Sequence, residues 1–409
     1  MYPPLETEVL SIKQAQQHML EQARLPSQTE CCQLSDALDR VLATSITSSI
    51  DVPPFNASAM DGFALNSKDA ILADTTLPLS QTIAAGDTPS TLKVNTAARI
   101  LTGAPLPQGA DTVIIQENCI ANPHEVRFLK TAKSGDNIRP QGSHIAVGQN
   151  VLDSGLRIRA VDIGLLASMG KSCLDVYPTL RIGVLSTGCE LVNPGTPLQP
   201  GKIHNSNHAM LISLISQLNC RVIDLGSIED DFLITHQALS DAQDKCDIII
   251  SSGGVSVGDK DHVKTALDNL GFIHFWKINM KPGKPVAFGK LGSTDFIGLP
   301  GNPVSCFVTF CLLARPFILK RLGIINSQIV SQTALSNFTQ RTPGKRTEYK
   351  RVTTIIDKDG HYIATPYPKQ DSATLMSISQ CDGLLEVPGG IAIKPGVRLN
   401  YYPFSTLLS

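Results

Sequence analysis

The amino-acid sequence predicts a multidomain protein of the α/β-plus-β class, built around a central three-layer α/β domain with a mostly parallel sheet. The chain has 409 residues, which is too long for one ordinary hydrophobic core. Strand-like and helical patterns alternate between residues 180 and 325, as in parallel sheets that carry helices on both faces. Short β-like runs divided by Gly and Pro fill two other regions, 60–140 and 327–409.

The N-terminal part has the spacing of apolar residues that is typical of helices over 8–23 and 33–43. The segment DVPPFN (51–56) ends the second of these helices, because paired prolines force extended backbone. After the first β-rich region, a helical patch returns at 160–169. The chain is therefore expected to leave one domain, build an insertion and come back.

The central domain is defined by four strand candidates: RIGVL (181–185), RVIDLG (221–226), DIIIS (247–251) and FIGL (296–299). Helical patterns accompany them near 206–218, 233–243, 259–270 and 303–322. Ligands of such sheets bind beyond the carboxyl ends of the strands. The predicted domains are a mixed N-terminal domain (1–50 and 141–178), a β-rich inserted domain (51–140), the α/β domain (179–326) and a small C-terminal β-barrel-like domain (327–409).

Composition excludes several classes of partner. Lys and Arg total 35 against 36 Asp and Glu, so the net charge of -1 provides no basic field for nucleic acid. Ten scattered cysteines without a CxxC repeat argue for a reducing compartment. The longest apolar stretch, 306–319, is interrupted by Arg315-Pro316 and is too short to span a bilayer, and the first residues lack a signal-peptide pattern. A cytoplasmic protein without membrane partners is expected.

Two Gly-rich and Ser-rich loops, ISSGGVSVGDKD (250–261) and GLPGNPVS (298–305), each follow an apolar strand and precede a helix. Glycines let backbone N–H groups approach a ligand closely, and a helix N-terminus favours anions. The candidate binding residues are Ser251, Gly253, Gly254, Ser256, Gly258, Pro300, Asn302, Pro303 and Ser305. On local grounds both loops are equally consistent with tight turns in which Asp259, Asn302 or Ser305 caps the next helix.

Further charged groups lie in loops of the same domain. Glu190 in STGCEL ends the first strand, where it is either a site carboxylate or a first-turn acid favoured by the helix dipole. The segment KINMKPGKPVAF (277–288) concentrates three ammonium groups that suit an oxyanion, although a solvated basic loop is the usual explanation: Lys277, Lys281 and Lys284.

The remaining polar motifs carry less information by themselves. Asp61 in AMDGF and Thr102 in LTGAP lie in turn sequences. No set of residues resembles a Ser-His-Asp or Cys-His nucleophile. The histidines are too isolated to argue for zinc: His144, His204 and His208.

The order and spacing of seven motifs resembles the molybdopterin molybdenumtransferase family, which is related to the C-terminal domain of gephyrin: SAMDGFAL, RILTGAPLPQGADTVI, NIRPQG, STGCEL, SSGGVSVGD, FWKINMKPGKP and GLPGNPVSC. SAMDGFA together with LTGAP points to the transferase among molybdopterin-binding proteins. The resemblance implies an elongated homodimer whose active cleft is completed by the other subunit. It also implies that molybdate joins adenylated molybdopterin with release of AMP, assisted by Mg²⁺. Other proteins of molybdenum cofactor synthesis are further candidate partners.

The resemblance implies catalytic roles for Asp61, Glu190, Asp230, Asp261, Lys277 and Lys281. It implies substrate contacts from Thr102, Pro282, Arg351 and Ser372 in addition to the two Gly-rich loops, and it places the metal at Asp61 and Glu190. Pyrophosphate and molybdate are both oxyanions, so lysines, loop N–H groups and Mg²⁺ must neutralise crowded negative charge.

Three positions depart from the family pattern. His144, Cys189 and Asn205 stand where the family has aspartates, so three carboxylates are missing from one presumed cleft. Mg²⁺ binding is therefore expected to be weaker or rearranged. The departures also raise a second hypothesis, a divergent paralogue that binds molybdopterin or a nucleotide as a carrier, sensor or scaffold without turning it over.

Overall fold

The computed structural model describes residues 9–255 and 262–408. The contacts within the chain divide it into two compact units. The large unit comprises Met1–Glu30, Asp39–Val41 and Val176–Ser409, and the small unit comprises Cys31–Leu38 and Leu42–Asp175. The four predicted domain boundaries are finer than this division and stay a prediction.

The helices are α1 (Ile12–Gln22), α2 (Ala160–Ser168), α3 (Ser206–Ser216), α4 (Phe232–Gln243), α5 (His262–Leu270), α6 (Pro303–Thr309), α7 (Arg315–Arg321), α8 (Met376–Ser379) and α9 (Phe404–Leu407). The strands of the first part of the chain are β1 (Glu30–Gln33), β2 (Ile46–Thr47), β3 (Ala57–Ser58), β4 (Gly62–Leu65), β5 (Thr76–Ile83), β6 (Ala97–Ile100), β7 (Thr112–Ile115), β8 (Cys119–Ala121), β9 (Glu125–Phe128), β10 (Ile138–Arg139), β11 (Asn150–Leu152) and β12 (Cys173–Val176). The later strands are β13 (Arg181–Thr187), β14 (Leu191–Val192), β15 (Ile203–His204), β16 (Arg221–Ile228), β17 (Ile248–Ser252), β18 (Gly271–Lys277), β19 (Met280–Lys281), β20 (Pro285–Leu291), β21 (Thr294–Leu299), β22 (Gln332–Ser336), β23 (Thr347–Ile356), β24 (Tyr362–Pro366), β25 (Gly383–Val387) and β26 (Arg398–Pro403).

The small unit is built on a six-stranded sheet in the order β7-β4-β6-β5-β9-β8. Strands β5 and β6 pair in parallel and the other neighbours are antiparallel. Alternate residues of β4 enter two different hydrophobic clusters, Phe63 in one and Ala64 in the other. Both faces of this sheet are therefore covered, so the β-rich part of the chain has a hydrophobic core of its own.

The helix predicted over 33–43 is wrong. Residues Glu30–Gln33 form β1 instead, and only a short 3₁₀ turn follows at Leu34–Asp36. The Leu34 N–H donates to Ser172 O at 2.9 Å, immediately before β12, so the backbone pairs with a segment that is distant in the sequence. Asp39 then has a φ of 62°, which no right-handed helix allows. Tertiary pairing overrides the helical spacing of apolar residues here.

The large unit contains the predicted α/β domain. Its sheet has the order β16-β13-β17-β21-β20-β18, in which the first four strands are parallel and the last two join antiparallel. Ile248 and Ile250 of β17 enter one hydrophobic cluster with α1, α3 and α6, whereas Ile249 enters another with α4 and α5. The three-layer architecture with a mostly parallel sheet is thus confirmed, as are the four predicted strands.

The end of the large unit is a small barrel. Its strands follow the order β23-β24-β22-β26-β25, and an additional pairing of β23 with β25 closes the sheet. β19 extends this sheet by pairing in parallel with β23, with Met280 opposite Thr347 and Lys281 opposite Glu348. The predicted C-terminal barrel is confirmed, and the lysine-rich segment is anchored to it.

The apolar stretch from α6 to α7 is one helix, Pro303–Arg321, as the helical pattern near 303–322 predicts, and Arg315-Pro316 does not end it. A π-helical turn at Phe310–Ala314 joins the two parts. Proline has no N–H to donate to the carbonyl four residues earlier, and Gln16 Nε2 of α1 donates to that oxygen, Leu312 O, at 2.7 Å. By length and composition the helix could cross a bilayer, but 89% of its apolar window is buried inside the protein, as in a core helix.

Replacing Gln16 with leucine should therefore destabilise the protein by about 1–2 kcal/mol, because Leu312 O would be left buried without a donor. The free energy of unfolding from urea titration measures this. Gln17→Leu is the matched control, since Gln17 makes only an exposed bond to Glu21 and its loss should change stability by less than about 0.5 kcal/mol. Equal losses in both variants would contradict the role given to Gln16.

Candidate active site

A cavity of about 620 Å³ lies at the carboxyl ends of the parallel strands β13, β17 and β21. The loop after each of these strands contributes to its wall, and the first turns of α3 and α6 complete it. The lining residues from the three loops include Thr187, Gly188, Glu190, Ser252, Gly253, Gly254, Pro300, Gly301, Asn302, Pro303 and Ser305. Both Gly-rich loops therefore open onto one cavity, at the edge of the sheet where ligands of this architecture bind.

The loop after β17 requires glycine for its close approach to β13. Gly253 and Gly254 have φ values of 88° and 65°, in the left-handed region. A Cβ on Gly253 would lie 2.6 Å from Thr187 O, and one on Gly254 would lie 2.4 Å from Val263 Cγ2. The two loops thus pack backbone against backbone. The predicted residues Ser256, Gly258 and Asp261 lie outside the described residues.

The wall of the cavity contains buried oxygen atoms that have no hydrogen-bond partner in the part of the chain that the structure describes. Asn207 Nδ2 donates to Ser252 Oγ at 2.8 Å and to Gly301 O at 2.7 Å, so it bridges the two Gly-rich loops. Asn207 Oδ1 and Thr187 Oγ1 are buried and have no partner among the described residues. Such atoms are costly unless a bound group pairs with them, so both are candidate acceptors for N–H groups of a ligand. Neither Thr187 nor Asn207 is among the binding residues predicted from the sequence, whereas Ser251, which is, also has a buried Oγ with no partner among the described residues.

Two carboxylates, Glu190 and Asp230, line the same cavity and are exposed. No cation from the described part of the chain lies within ion-pair distance of either one. Carboxylate oxygens that are free of cations are the ligands that Mg²⁺ prefers. These two side chains are therefore the metal-binding candidates of the large unit.

Two of the three departures from the family pattern, Cys189 and Asn205, belong to the large unit, and the third belongs to the small unit. Asn205 lines the cavity and is 2% exposed; its Oδ1 accepts from the His208 N–H at 3.1 Å, and its Nδ2 donates to Ser227 Oγ at 2.8 Å. It caps α3 as an aspartate would. Cys189 is exposed beside Glu190 and is not among the lining residues. His144 belongs to the small unit, where it lines a separate cavity of about 540 Å³.

A hydrogen-bonded Ser-His-Asp set, which the sequence analysis did not find, lies at the end of the sheet. His208 Nδ1 is 3.3 Å from Ser186 Oγ, and His208 Nε2 is 2.8 Å from Asp224 Oδ1. Ser186 is fully buried, so a substrate cannot reach its hydroxyl. The set anchors the first turn of α3 against β13 and β16. No spacing in the sequence indicates this set, because its members come from three elements, β13, α3 and β16, that meet only in the folded domain.

The predicted lysines lie on the turn between β18 and β20. Lys281 Nζ is 3.0 Å from Glu348 Oε1, and Lys350 Nζ is 3.1 Å from the other oxygen of the same carboxylate. Burial opposes the charge on Glu348, but hydrogen bonds and attraction from the two lysines hold its pKa below the ordinary value. Lys277 ends β18 and has no ion pair with a described residue. Pro282 follows Lys281 through a cis peptide bond and is buried.

The two candidates of the barrel, Arg351 and Ser372, are not among the residues that line this cavity, and their contact with substrate stays a prediction. Arg351 is 1% exposed and does not line the cavity; its guanidinium donates to Ser377 Oγ at 3.0 Å and to Asp371 O at 2.8 Å. Ser372 O, in the loop held in this way, accepts from the Val304 N–H at 3.0 Å in the first turn of α6. The next residue, Ala373, lines the cavity. Arg351 thus acts on the cavity through this loop and not by direct contact.

Asp61 and Thr102 pair with each other in the small unit. The N–H and the hydroxyl of Thr102 both donate to Asp61 Oδ1, at 2.7 and 2.8 Å. These bonds lower the pKa of Asp61, so its carboxylate is ionised at neutral pH. The second oxygen of Asp61 remains available for a ligand or a metal ion.

Comparisons with known proteins account for nearly the whole chain. Three family models match in succession: the MoeA N-terminal region (domains I and II) over 10–170, the probable molybdopterin-binding domain over 183–320, and the MoeA C-terminal region (domain IV) over 336–404. The chain is 42% identical to the molybdopterin molybdenumtransferase of Haemophilus influenzae, over 98% of this chain and 100% of that one. It is 34% identical to the molybdopterin molybdenumtransferase of Nostoc, over 88% and 85%. The crystal structure of a molybdopterin biosynthesis moeA protein from Pyrococcus horikoshii matches with a TM-score of 0.82 at 27% identity, over 97% of this chain and 99% of that one. The chain belongs to the molybdopterin molybdenumtransferase family.

Proposed function

We propose that this protein is a molybdopterin molybdenumtransferase, which inserts molybdate into adenylated molybdopterin with release of AMP in molybdenum cofactor biosynthesis. The chain is 42% and 34% identical, over 98% and 88% of its length, to two molybdopterin molybdenumtransferases, and this similarity supports a function in molybdenum insertion. The observation that carries the proposal is the cavity at the ends of β13, β17 and β21, with two Gly-rich loops and unpartnered oxygens in its wall.

Within this cavity the side chains have distinct tasks. Thr187 Oγ1 and Asn207 Oδ1 accept hydrogen bonds from the N–H groups of the pterin. The N-terminus of α6 and the backbone N–H groups of the loops bind the adenylate phosphate, as helix N-termini and Gly-rich loops bind anions elsewhere. Lys277 and Lys281 are not among the residues that line this cavity; as the family resemblance implies, they supply positive charge for molybdate, with Lys281 paired to Glu348.

The donor set fits a Mg²⁺ ion, because Glu190 and Asp230 are carboxylates that line the cavity without a described cation beside them. When bound, Mg²⁺ supplies Lewis-acid stabilisation of negative charge on phosphate and molybdate oxygens. Asp61, ionised through its bonds from Thr102, is the third metal candidate. Its contribution rests on the cleft that the family resemblance implies.

Two further properties complete the proposal. We expect a homodimer, because the resemblance implies that the partner subunit completes the cleft, and light scattering of the purified protein tests this. We also expect the protein to act in the cytoplasm, where cysteines stay reduced, which fits the ten free cysteines.

The deciding experiment incubates the purified protein with adenylated molybdopterin, molybdate and Mg²⁺ and measures released AMP together with metal-loaded cofactor. Molybdate-dependent AMP release is expected, with no release when molybdate is omitted. Binding of adenylated molybdopterin without AMP release at any Mg²⁺ concentration would contradict the transferase and support the non-catalytic carrier.

Asn205→Asp should lower the Mg²⁺ concentration that gives half-maximal AMP release, by about tenfold. An aspartate can accept the same His208 N–H and is favoured at the N-terminus of α3, so stability should change by less than about 1 kcal/mol. Asn219→Asp adds the same charge at an exposed position outside the cavity and serves as the control. An unchanged Mg²⁺ dependence in Asn205→Asp would show that this position does not tune the metal.

A further inference from the structure

Two exposed thiols of the small unit lie on neighbouring strands. Cys31 is in β1 and Cys173 is in β12, and these strands pair as a two-stranded sheet. Successive side chains of a strand point to opposite faces. Cys32 and Leu174 are buried, so Cys31 and Cys173 both lie on the opposite, exposed face of the sheet.

Because β1 and β12 are direct neighbours, the two thiols share the exposed face of a sheet that is only two strands wide. Interaction with Cys173 raises the pKa of Cys31, and desolvation and the Asp175 carboxylate act in the same direction. Cys31 therefore stays a protonated thiol at neutral pH, and mildly alkaline conditions favour its thiolate. Both cysteines are free and open to solvent, where a small oxidant can reach them.

We propose that Cys31 and Cys173 form a reversible dithiol–disulfide site whose oxidant is a low-molecular-weight disulfide such as oxidised glutathione. One cysteine thiolate attacks a sulfur of the oxidant, the S–S bond of the oxidant breaks, and one glutathione thiolate leaves. The second cysteine then loses its proton to water and attacks the mixed disulfide, which releases the second glutathione. The protein loses two electrons and two protons, and one oxidised glutathione becomes two reduced molecules.

A disulfide between Cys31 and Cys173 would join the two ends of the small unit. Cys31 is the first residue of the small unit and Cys173 lies close to its last residue, Asp175. A disulfide here closes a loop that contains residues 32–172 and ties together the two chain segments that bound the unit. Closing so long a loop restricts the unfolded chain strongly, so oxidation should stabilise the small unit.

The other cysteines differ in ways that make the site selective. Burial raises the pKa of Cys306 and Cys311 to about 12, which keeps these thiols unreactive. Cys189 is exposed, but no hydrogen bond or charge interaction with another described cysteine accompanies it. It is the matched control for an accessible thiol without a neighbour.

The full chain is incubated with glutathione buffers of increasing oxidised fraction at mildly alkaline pH, alkylated and mapped by mass spectrometry. Expected are a peptide that joins Cys31 to Cys173 and a rise of about 5 °C in the unfolding midpoint, both reversed by dithiothreitol. Cys31→Ser and Cys173→Ser should each abolish both changes, whereas Cys189→Ser should keep them.

Three outcomes would overturn the proposal. Stable glutathione adducts without a joined peptide would show that the thiols do not close on each other. A link from Cys31 to Cys32, or a covalent dimer on a non-reducing gel, would assign the oxidation to another pair. None of these results depends on transferase activity, so the test stands apart from the proposed function.

Discussion

Replacing Gly253 with alanine should lower the kcat/KM for AMP release by at least about 100-fold. The φ of 88° costs an alanine about 1 kcal/mol, and the added Cβ would lie 2.6 Å from the backbone oxygen of Thr187. A backbone oxygen cannot move aside as a flexible side chain can. The loops after β13 and β17 must therefore separate, which displaces Thr187 Oγ1 from the ligand position. Steady-state kinetics with adenylated molybdopterin provide the measurement.

A control glycine that has a positive φ but no close backbone contact separates the effect of backbone strain from the effect of loop packing. Gly292 has a φ of 58° in the turn before β21, away from the cavity, and a Cβ there would meet only Gln243 Oε1 at 3.8 Å. Gly292→Ala should lose about 1 kcal/mol of stability and keep its activity. Activity of Gly253→Ala close to that of Gly292→Ala would show that the close packing of the loops does not matter for the reaction.

The sequence predicts the central sheet well because its strands are buried on both faces. Strands β13, β17 and β21 are apolar on both faces, so they can be recognised without knowing which face each residue occupies. Glycines in the loops that follow indicate close approach of the backbone. The local spacing of apolar residues gives a wrong prediction where pairing with a distant strand determines the structure. Residues 33–43 have helical spacing, yet pairing of β1 with β12 converts their start into a strand.

Some residues of the site can be identified from the local sequence, whereas others depend on contacts between distant segments. Gly253, Gly254 and Pro300 are recognisable because Gly-rich loops between a strand and a helix are typical of anion-binding sites, and all three line the cavity. Asn207 is not, since its task depends on two loops that meet only in the folded sheet. The pairing of Lys281 with Glu348 likewise requires β19 to join the barrel, which no pattern in the lysine-rich segment announces.

Replacing Arg351 with methionine should destabilise the protein by about 3 kcal/mol and raise the KM for adenylated molybdopterin. Methionine fills much of the space but donates no hydrogen bond, so Lys369 O, Asp371 O and Ser377 Oγ would lose their donor. Burial lowers the pKa of Arg351, while electrostatic interactions with Cys381, Asp371 and Glu348 act in the opposite direction. Urea titration measures the loss of stability, and kinetics well below the unfolding midpoint measure KM.

The kinetic result distinguishes a positioning residue from one that only stabilises the fold. The loop that Arg351 holds reaches the cavity through Ala373, and its Ser372 O fixes the Val304 N–H at the start of α6. Loosening this loop should raise KM about tenfold or more while the protein is still folded, with a smaller change in kcat. Arg351→Lys should be intermediate, because one ammonium cannot reproduce the fork of donors. Arg398→Met, at an exposed position of β26, should leave both quantities unchanged. An unchanged KM in folded Arg351→Met would show that Arg351 contributes to stability alone. The barrel would then not act on the substrate site through this residue.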